Sequence, residues 1–184
     1  MGSSRSRLIG FWFIIASAGL GISATGWKTF KSAKCHFSVD YPDSWYVEYD
    51  ARICVLDINN FPPSKKVQGV VLPHLGATIS VVRAPKGVTT IPEWIARDLA
   101  GSKLLGRREV SNLSHEPGAC TQLIVAESDF EVGPGTYSHE TSYYCHCAMT
   151  GRLYLVELQN WREDPNQKQF QATALRIALT LGSW

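Results

Sequence analysis

The chain has 184 residues, 18 Lys and Arg against 16 Asp and Glu, and a hydrophobic content of 45%. That is room for one domain with a proper core, and the composition is too apolar for a disordered chain. A formal net charge of +2 without a basic stripe argues against nucleic-acid binding.

The chain opens on Arg5 and Arg7, then runs uncharged from Leu8 to Trp27. A basic start, an apolar middle and a small-residue exit at Ile22-Ser23-Ala24 are the pattern of an export signal, with cleavage after Ala24. The alternative is a retained anchor, because the run approaches the roughly 20 residues that cross a bilayer. In either case the two arginines keep the N-terminus inside and place the domain outside, in the periplasm or beyond the cell. Residues 1–24 carry both basic charges of the excess, so residues 25–184 are formally neutral. Lys28, Lys31 and Lys34 then dot residues 25–34, which read as a solvated linker. A single globular domain is expected over residues 35–184, and membrane contact only through residues 8–27 if the segment stays uncut.

Cys35 to Asp40 alternates as a strand, and Tyr41-Pro42-Asp43-Ser44 is a turn by composition. Strands are also expected over Trp45 to Tyr49 and Arg52 to Ile58. Phe61 to Gly76, with Pro62, Pro63 and Pro73, is a long loop. Its Phe61, Val70, Val71 and Leu72 either form an apolar patch for a partner or fold back over a sheet edge. Ala77 to Arg83 is a β-branched strand. Thr90-Ile91-Pro92-Glu93 starts a helix: threonine caps, proline sits in the first turn and Glu93 completes a capping box. Leu104 to Val110 is ambiguous. Strands over Ala119 to Ser128 and Tyr137 to Met149 flank a Gly-Pro-Gly loop, and Thr150-Gly151 turns into a strand over Leu153 to Asn160. The last helix is capped by Asp164, has Pro165 in its first position, and aligns Phe170, Ala174, Ile177 and Leu181 on one face. Gly182 ends it. Strands and helices without regular βαβ alternation predict an α+β fold, an antiparallel β-sheet flanked by helices.

Phe37-Ser-Val-Asp-Tyr-Pro-Asp-Ser-Trp45 resembles the opening of PsbP-like domains, where a strand runs through a Tyr-Pro turn into a tryptophan. Phe170-Gln-Ala-Thr-Ala-Leu-Arg-Ile-Ala-Leu-Thr-Leu181 is similar to that family's closing helix. The resemblance spans about residue 35 to the C-terminus and implies an α/β/α sandwich around an antiparallel sheet. Members serve unrelated ends: an extrinsic subunit of the oxygen-evolving complex, a Ran-binding nuclear transport factor, bacterial envelope lipoproteins and chaperones of secreted effectors. They share protein binding rather than a reaction. The resemblance therefore implies an exported, non-enzymatic accessory domain that meets another envelope or secreted protein, and it carries over no catalytic residue and no cofactor.

Two constellations could carry chemistry. The five cysteines, Cys35, Cys54, Cys120, Cys145 and Cys147, all lie beyond the export segment, so one or two disulfides with an odd thiol are expected. Cys145 and Cys147 share one face of a strand; bonding them together would distort it, so one of them is expected to pair with a distant cysteine. Buried thiols are the competing reading. A metal site would need Cys145, Cys147 and a histidine from elsewhere such as His36, a donor set suited to zinc or copper. For nucleophilic catalysis, Ser114-His115-Glu116 and Ser138-His139-Glu140 place suitable residue types side by side, but adjacency is not triad geometry. Both read as solvated loop or strand-edge residues. Asn112-Leu113-Ser114 matches a glycosylation sequon.

Overall fold

A computed structural model of the chain describes residues 26–62, 76–111, 113, 118–133, 136–161 and 164–184. Residues 1–24, where an export segment is expected, lie outside the described residues, as do Val70, Val71, Leu72, Asn112 of the sequon and Ser114-His115-Glu116. Among the described residues no helix is long and apolar enough to cross a membrane.

The described residues form ten strands and two helices, in order β1 (Trp27–Ser32), β2 (Phe37–Pro42), β3 (Tyr46–Asp50), β4 (Val55–Asn59), β5 (Thr78–Arg83), α1 (Ile91–Asp98), β6 (Lys103–Glu109), β7 (Gln122–Gly133), β8 (Thr136–Cys147), β9 (Arg152–Trp161), α2 (Gln167–Thr180) and β10 (Gly182–Ser183). Seven strands make one sheet in the order β3-β4-β5-β9-β8-β7-β6, every pairing antiparallel. A second sheet has the order β1-β2-β10.

Alternation along the central strands decides what each face holds. Leu123, Val125, Tyr143, Cys145, Tyr154, Val156 and Leu158 face the larger core, which α2 closes with Phe170, Ala174, Ile177 and Leu181. The intervening Ile124, Ala126, Tyr144, Leu153 and Leu155 face a smaller core beneath Ile91, Trp94 and Ile95 of α1. The helices thus lie on opposite faces. Helix α1 has eight residues and covers only one end of its face.

Local chemistry accounts for the ends of α1. Thr90 Oγ1 accepts from the Glu93 amide at 3.3 Å, while Glu93 Oε2 reaches past the cap to the Thr89 amide at 3.1 Å. The capping box therefore closes on the residue before the cap. At α2 the expected cap shifts. Asp164 Oδ1 accepts from the Asn166 amide at 2.8 Å, forming a turn one step ahead of the helix, and Asn166 becomes the N-cap. Gly182 does not simply stop the helix: Leu181 is extended at the C-cap, and Gly182–Ser183 pairs with Ser38 and Phe37 of β2.

The linker reading of residues 25–34 is corrected. Trp27–Ser32 pairs along its whole length with β2. The lysines hid a strand whose Trp27 and Phe30 pack against the core, with Phe30 edge-on to Tyr49 at 5.0 Å. The Arg176 guanidinium lies 3.8 Å from the centre of the Trp27 ring, a cation–π contact that ties β1 to α2. Phe61 is also corrected as a partner residue: it is 3% exposed and sits in the interior. The ambiguous stretch before Val110 is strand β6.

Because Phe30 is a packing residue, Phe30→Ala should lower unfolding free energy by about 1–3 kcal/mol, less than a fully buried phenylalanine would cost. Urea unfolding followed by tryptophan fluorescence measures it; a change within experimental error would restore the linker reading.

Candidate functional site

The sulfur chemistry gathers at one end of the large sheet. Cys35 and Cys54 form a disulfide with Cα atoms 5.7 Å apart, and Cys120 and Cys145 form a second, also with 5.7 Å between Cα atoms. Cys147 is the odd thiol and is buried. Cys145 does pair with a distant cysteine. Cys120 stands before β7, where the Thr121 amide and hydroxyl both donate to the His146 carbonyl, at 2.9 and 3.0 Å. Upstream, the Gly118 carbonyl accepts from the Ser183 amide at 2.8 Å. Gly118 has φ +86°, and a Cβ there would stand 2.5 Å from the Ser183 carbonyl oxygen, so only glycine permits this approach. The C-terminal strand thereby holds Cys120 against β8.

The result is a triangle of sulfurs. Cys120, Cys145 and Cys147 place their Sγ atoms within 4.8 Å of one another, with Cys145 and Cys147 at 3.9 Å. All three are at most 3% exposed. Burial pushes the Cys147 thiol up to about 12, and Arg152, opposite it in the register, only partly offsets this. His36 does not join the group. Its backbone is left-handed at φ +58°, as is Cys54 at +57°, beside the Cys35–Cys54 disulfide. Tyr154 Oη donates to the carbonyls of Cys35 and His36, at 3.3 and 3.0 Å. His36 therefore serves that turn through its backbone, and the third sulfur comes from Cys120.

Beyond α1, the same face of the sheet is polar. Glu140 and Gln159 stand opposite each other across β8 and β9, and Ser142 stands opposite Glu157. Ser142 Oγ donates to Glu140 at 2.8 Å, Gln159 Nε2 donates to Glu157, and Tyr144 Oη donates to Asp98 Oδ2 at 2.6 Å. Burial raises the carboxyls of both Glu140 and Glu157 above the usual carboxylate range. Glu157 is pushed up to about 8, by burial first and by the charge of Glu140 second. The two carboxyls are poised to share a proton.

Ser138-His139-Glu140 is not a solvated edge. Strand alternation sends His139 to the α2 face, where it is 5% exposed, and Ser138 and Glu140 to the other. His139 Nδ1 meets Asp129 Oδ1 at 3.0 Å across β7 and β8. His139 Nε2 is buried without a hydrogen-bond partner, so the pair has no hydroxyl to activate among the described residues. The sequence hid Asp129, ten residues away, because only the register brings it opposite.

The last feature is the β6 edge. All seven of its residues are exposed, including Leu104 and Leu105 at 49% and 44%. A register shift between Leu104 and Gly106 bulges the strand where Leu105 stands. Gly106, Arg107, Arg108, Val125 and Glu127 line a shallow depression of ≈ 210 Å³ beside it.

Two measurements check these sites. With thiol reagent and no reductant, the native protein should show no reactive thiol and the denatured protein one, because Cys147 is buried and protonated. For the carboxyl pair, the folded-state value of Glu157 lies above its ordinary 4.5. Its contribution to stability is full below about 4.5 and is lost as pH rises through about 8. Glu157→Gln should therefore raise stability at pH 8 by on the order of 2 kcal/mol and flatten the pH dependence between those limits. Thermal melts across pH 4 to 9 would show it; an equal effect at both ends would contradict the shared proton.

No family model matches the chain, and no curated protein matches it in sequence. Solved structures do match. A protein from Bacteroides thetaiotaomicron is 12% identical over 85% of this chain, with a TM-score of 0.49; this chain spans about half of it (48%). The solution structure of cyanobacterial PsbP (CyanoP) from Synechocystis is 12% identical over 92% of this chain and 99% of its own, with a TM-score of 0.54. The Saccharomyces cerevisiae Ran-binding protein Mog1p is 8% identical over 87% of this chain and 96% of its own, with a TM-score of 0.52. At these identities the likeness is one of fold, and the fold is that of a PsbP-like domain.

Proposed function

We propose that this chain is an exported, non-enzymatic accessory domain that binds another envelope or secreted protein. The observation that carries the reading is β6, an edge strand with every residue exposed and two adjacent leucines at its bulge. An unpaired edge offers backbone donors and acceptors to a second chain. Leu104 and Leu105 supply apolar area, and Lys103, Arg107 and Arg108 add positive charge suited to an acidic partner segment.

The fold supports a binding role, since one solved structure that shares it is named as a Ran-binding protein. The basic start and apolar run of residues 5–27 support export, either with a cut after Ala24 or with the segment kept as a tether in the inner membrane. The mature domain would then work in the periplasm or outside the cell.

Crosslinking in the native envelope, with the full chain as bait, tests the proposal. A reproducible partner should be captured by the wild-type chain. Its recovery should fall at least about tenfold for a chain carrying Leu104→Glu and Leu105→Glu, whose thermal midpoint should stay unchanged. Unchanged recovery by that variant would remove β6 as the interface, and failure to recover any envelope partner would remove the binding role.

A further inference from the structure

The sulfur triangle has a property that a simple structural disulfide does not need. Cys145 and Cys147 hold their sulfurs 3.9 Å apart on one face of β8, and Cys120 completes a group spanning no more than 4.8 Å. Two sulfurs bound to one ion at about 2.3 Å stand roughly 3.8–4.0 Å apart, so the β8 pair is already at the spacing of shared ligands. The position of Cys147 also speaks against its being an attacking thiol for the neighbouring disulfide. A thiol in line with the Cys120–Cys145 bond would lie about 6 Å from Cys120. Cys147 lies within 4.8 Å of it, to the side of the bond.

We infer that Cys120, Cys145 and Cys147 form a redox-gated site for a soft monovalent ion, Cu(I), open when the Cys120–Cys145 disulfide is reduced and closed when an external disulfide re-forms it by thiol exchange, taking up the two electrons and two protons and leaving as a dithiol. An external dithiol supplies two electrons and two protons to the disulfide and leaves as its own disulfide, giving three cysteine thiols. Cu(I) then binds and displaces thiol protons to solvent. Three soft donors without a histidine or carboxylate in the group favour Cu(I) over Zn(II), which takes a fourth ligand. Their burial keeps water from the ion. Arg152, opposite Cys147 in the register, supplies a positive charge to balance the thiolates. The clamp between Gly118 and Ser183 keeps Cys120 beside β8 in the absence of the covalent bond.

The test uses the full chain, reduced without oxygen by a phosphine and titrated with Cu(I) held by a chromogenic chelator. The expected result is one Cu(I) withdrawn per reduced chain, with X-ray absorption showing sulfur-only three-coordination, and none withdrawn by the oxidised chain. Cys147→Ser keeps the disulfide, and hence the oxidised fold, and should weaken Cu(I) binding at least about 100-fold, since losing even a supporting group costs roughly 10–100-fold. Cys54→Ser, outside the triangle, should leave it unchanged. If reduction loosens the fold, recovery of native circular dichroism on adding one equivalent of Cu(I) supports the site, and no recovery overturns it. Uptake unaffected by Cys147→Ser, no uptake by a folded reduced chain, or preference for Zn(II) would each overturn it.

Discussion

The structure depends on the two-residue alternation of β8, which runs through the sheet hydrogen-bonded on both sides, to β7 and to β9. Buried between two partners, β8 cannot slip by one residue without turning its core side chains to the wrong face. Odd-numbered positions from His139 to Cys147 therefore face α2, and even-numbered ones from Ser138 to Tyr144 face α1 and the polar belt beyond it. Each feature of chemical interest is read from that alternation. The two cysteines share a face, His139 is separated from Ser138 and Glu140, and Glu140 meets the side chains of β9.

Helix α2 and the C-terminal strand lock this arrangement from one side. Tyr143 Oη donates to the Gln171 carbonyl at 2.9 Å, and Gln171 Nε2 donates to Thr141 Oγ1 at 3.2 Å. These bonds hold α2 along β8, while Phe170, Ala174, Ile177 and Leu181 bury an apolar stripe worth about 1.5–3 kcal/mol per large side chain. The chain then leaves the helix to pair with β2 and to touch Gly118. Tyr154, fully buried, links the two disulfide regions: it is opposite Cys145 in the register, and its hydroxyl reaches the carbonyls beside Cys35. The other face is held less completely. Eight residues of α1 cannot cover a seven-stranded sheet, so its remainder is polar and half-buried, and burial there raises the carboxyls of Glu140 and Glu157 above the usual range.

The fold was largely legible because its signals are local. Thr90 and Glu93 mark a helix start whatever surrounds them, and the apolar spacing from Phe170 to Leu181 marks a helix face. The Tyr41-Pro42 turn into Trp45 and the alternation through β8 and β9 are equally local. Elements carrying mixed signals were harder. Trp27–Ser32 bears two lysines and became a strand only because β2 needed a partner and Arg176 met Trp27. Lys103–Glu109 is polar enough to pass for a loop, which is what an edge strand requires.

The sites were legible only as inventories of residue types. From the sequence alone came five cysteines after an apolar N-terminal run, an odd thiol, and the shared face of Cys145 and Cys147, since these follow from counting and from a period of two. Tertiary structure decided that Cys120 and not His36 completes the sulfur group, that His139 answers to Asp129, and that Glu157 sits against Glu140. Each of those pairings joins separate strands, or a strand and the segment that leads into the next. A strand's own period fixes which face a side chain takes. Only the register, set by burial on both faces and by the turns between strands, fixes what stands opposite it.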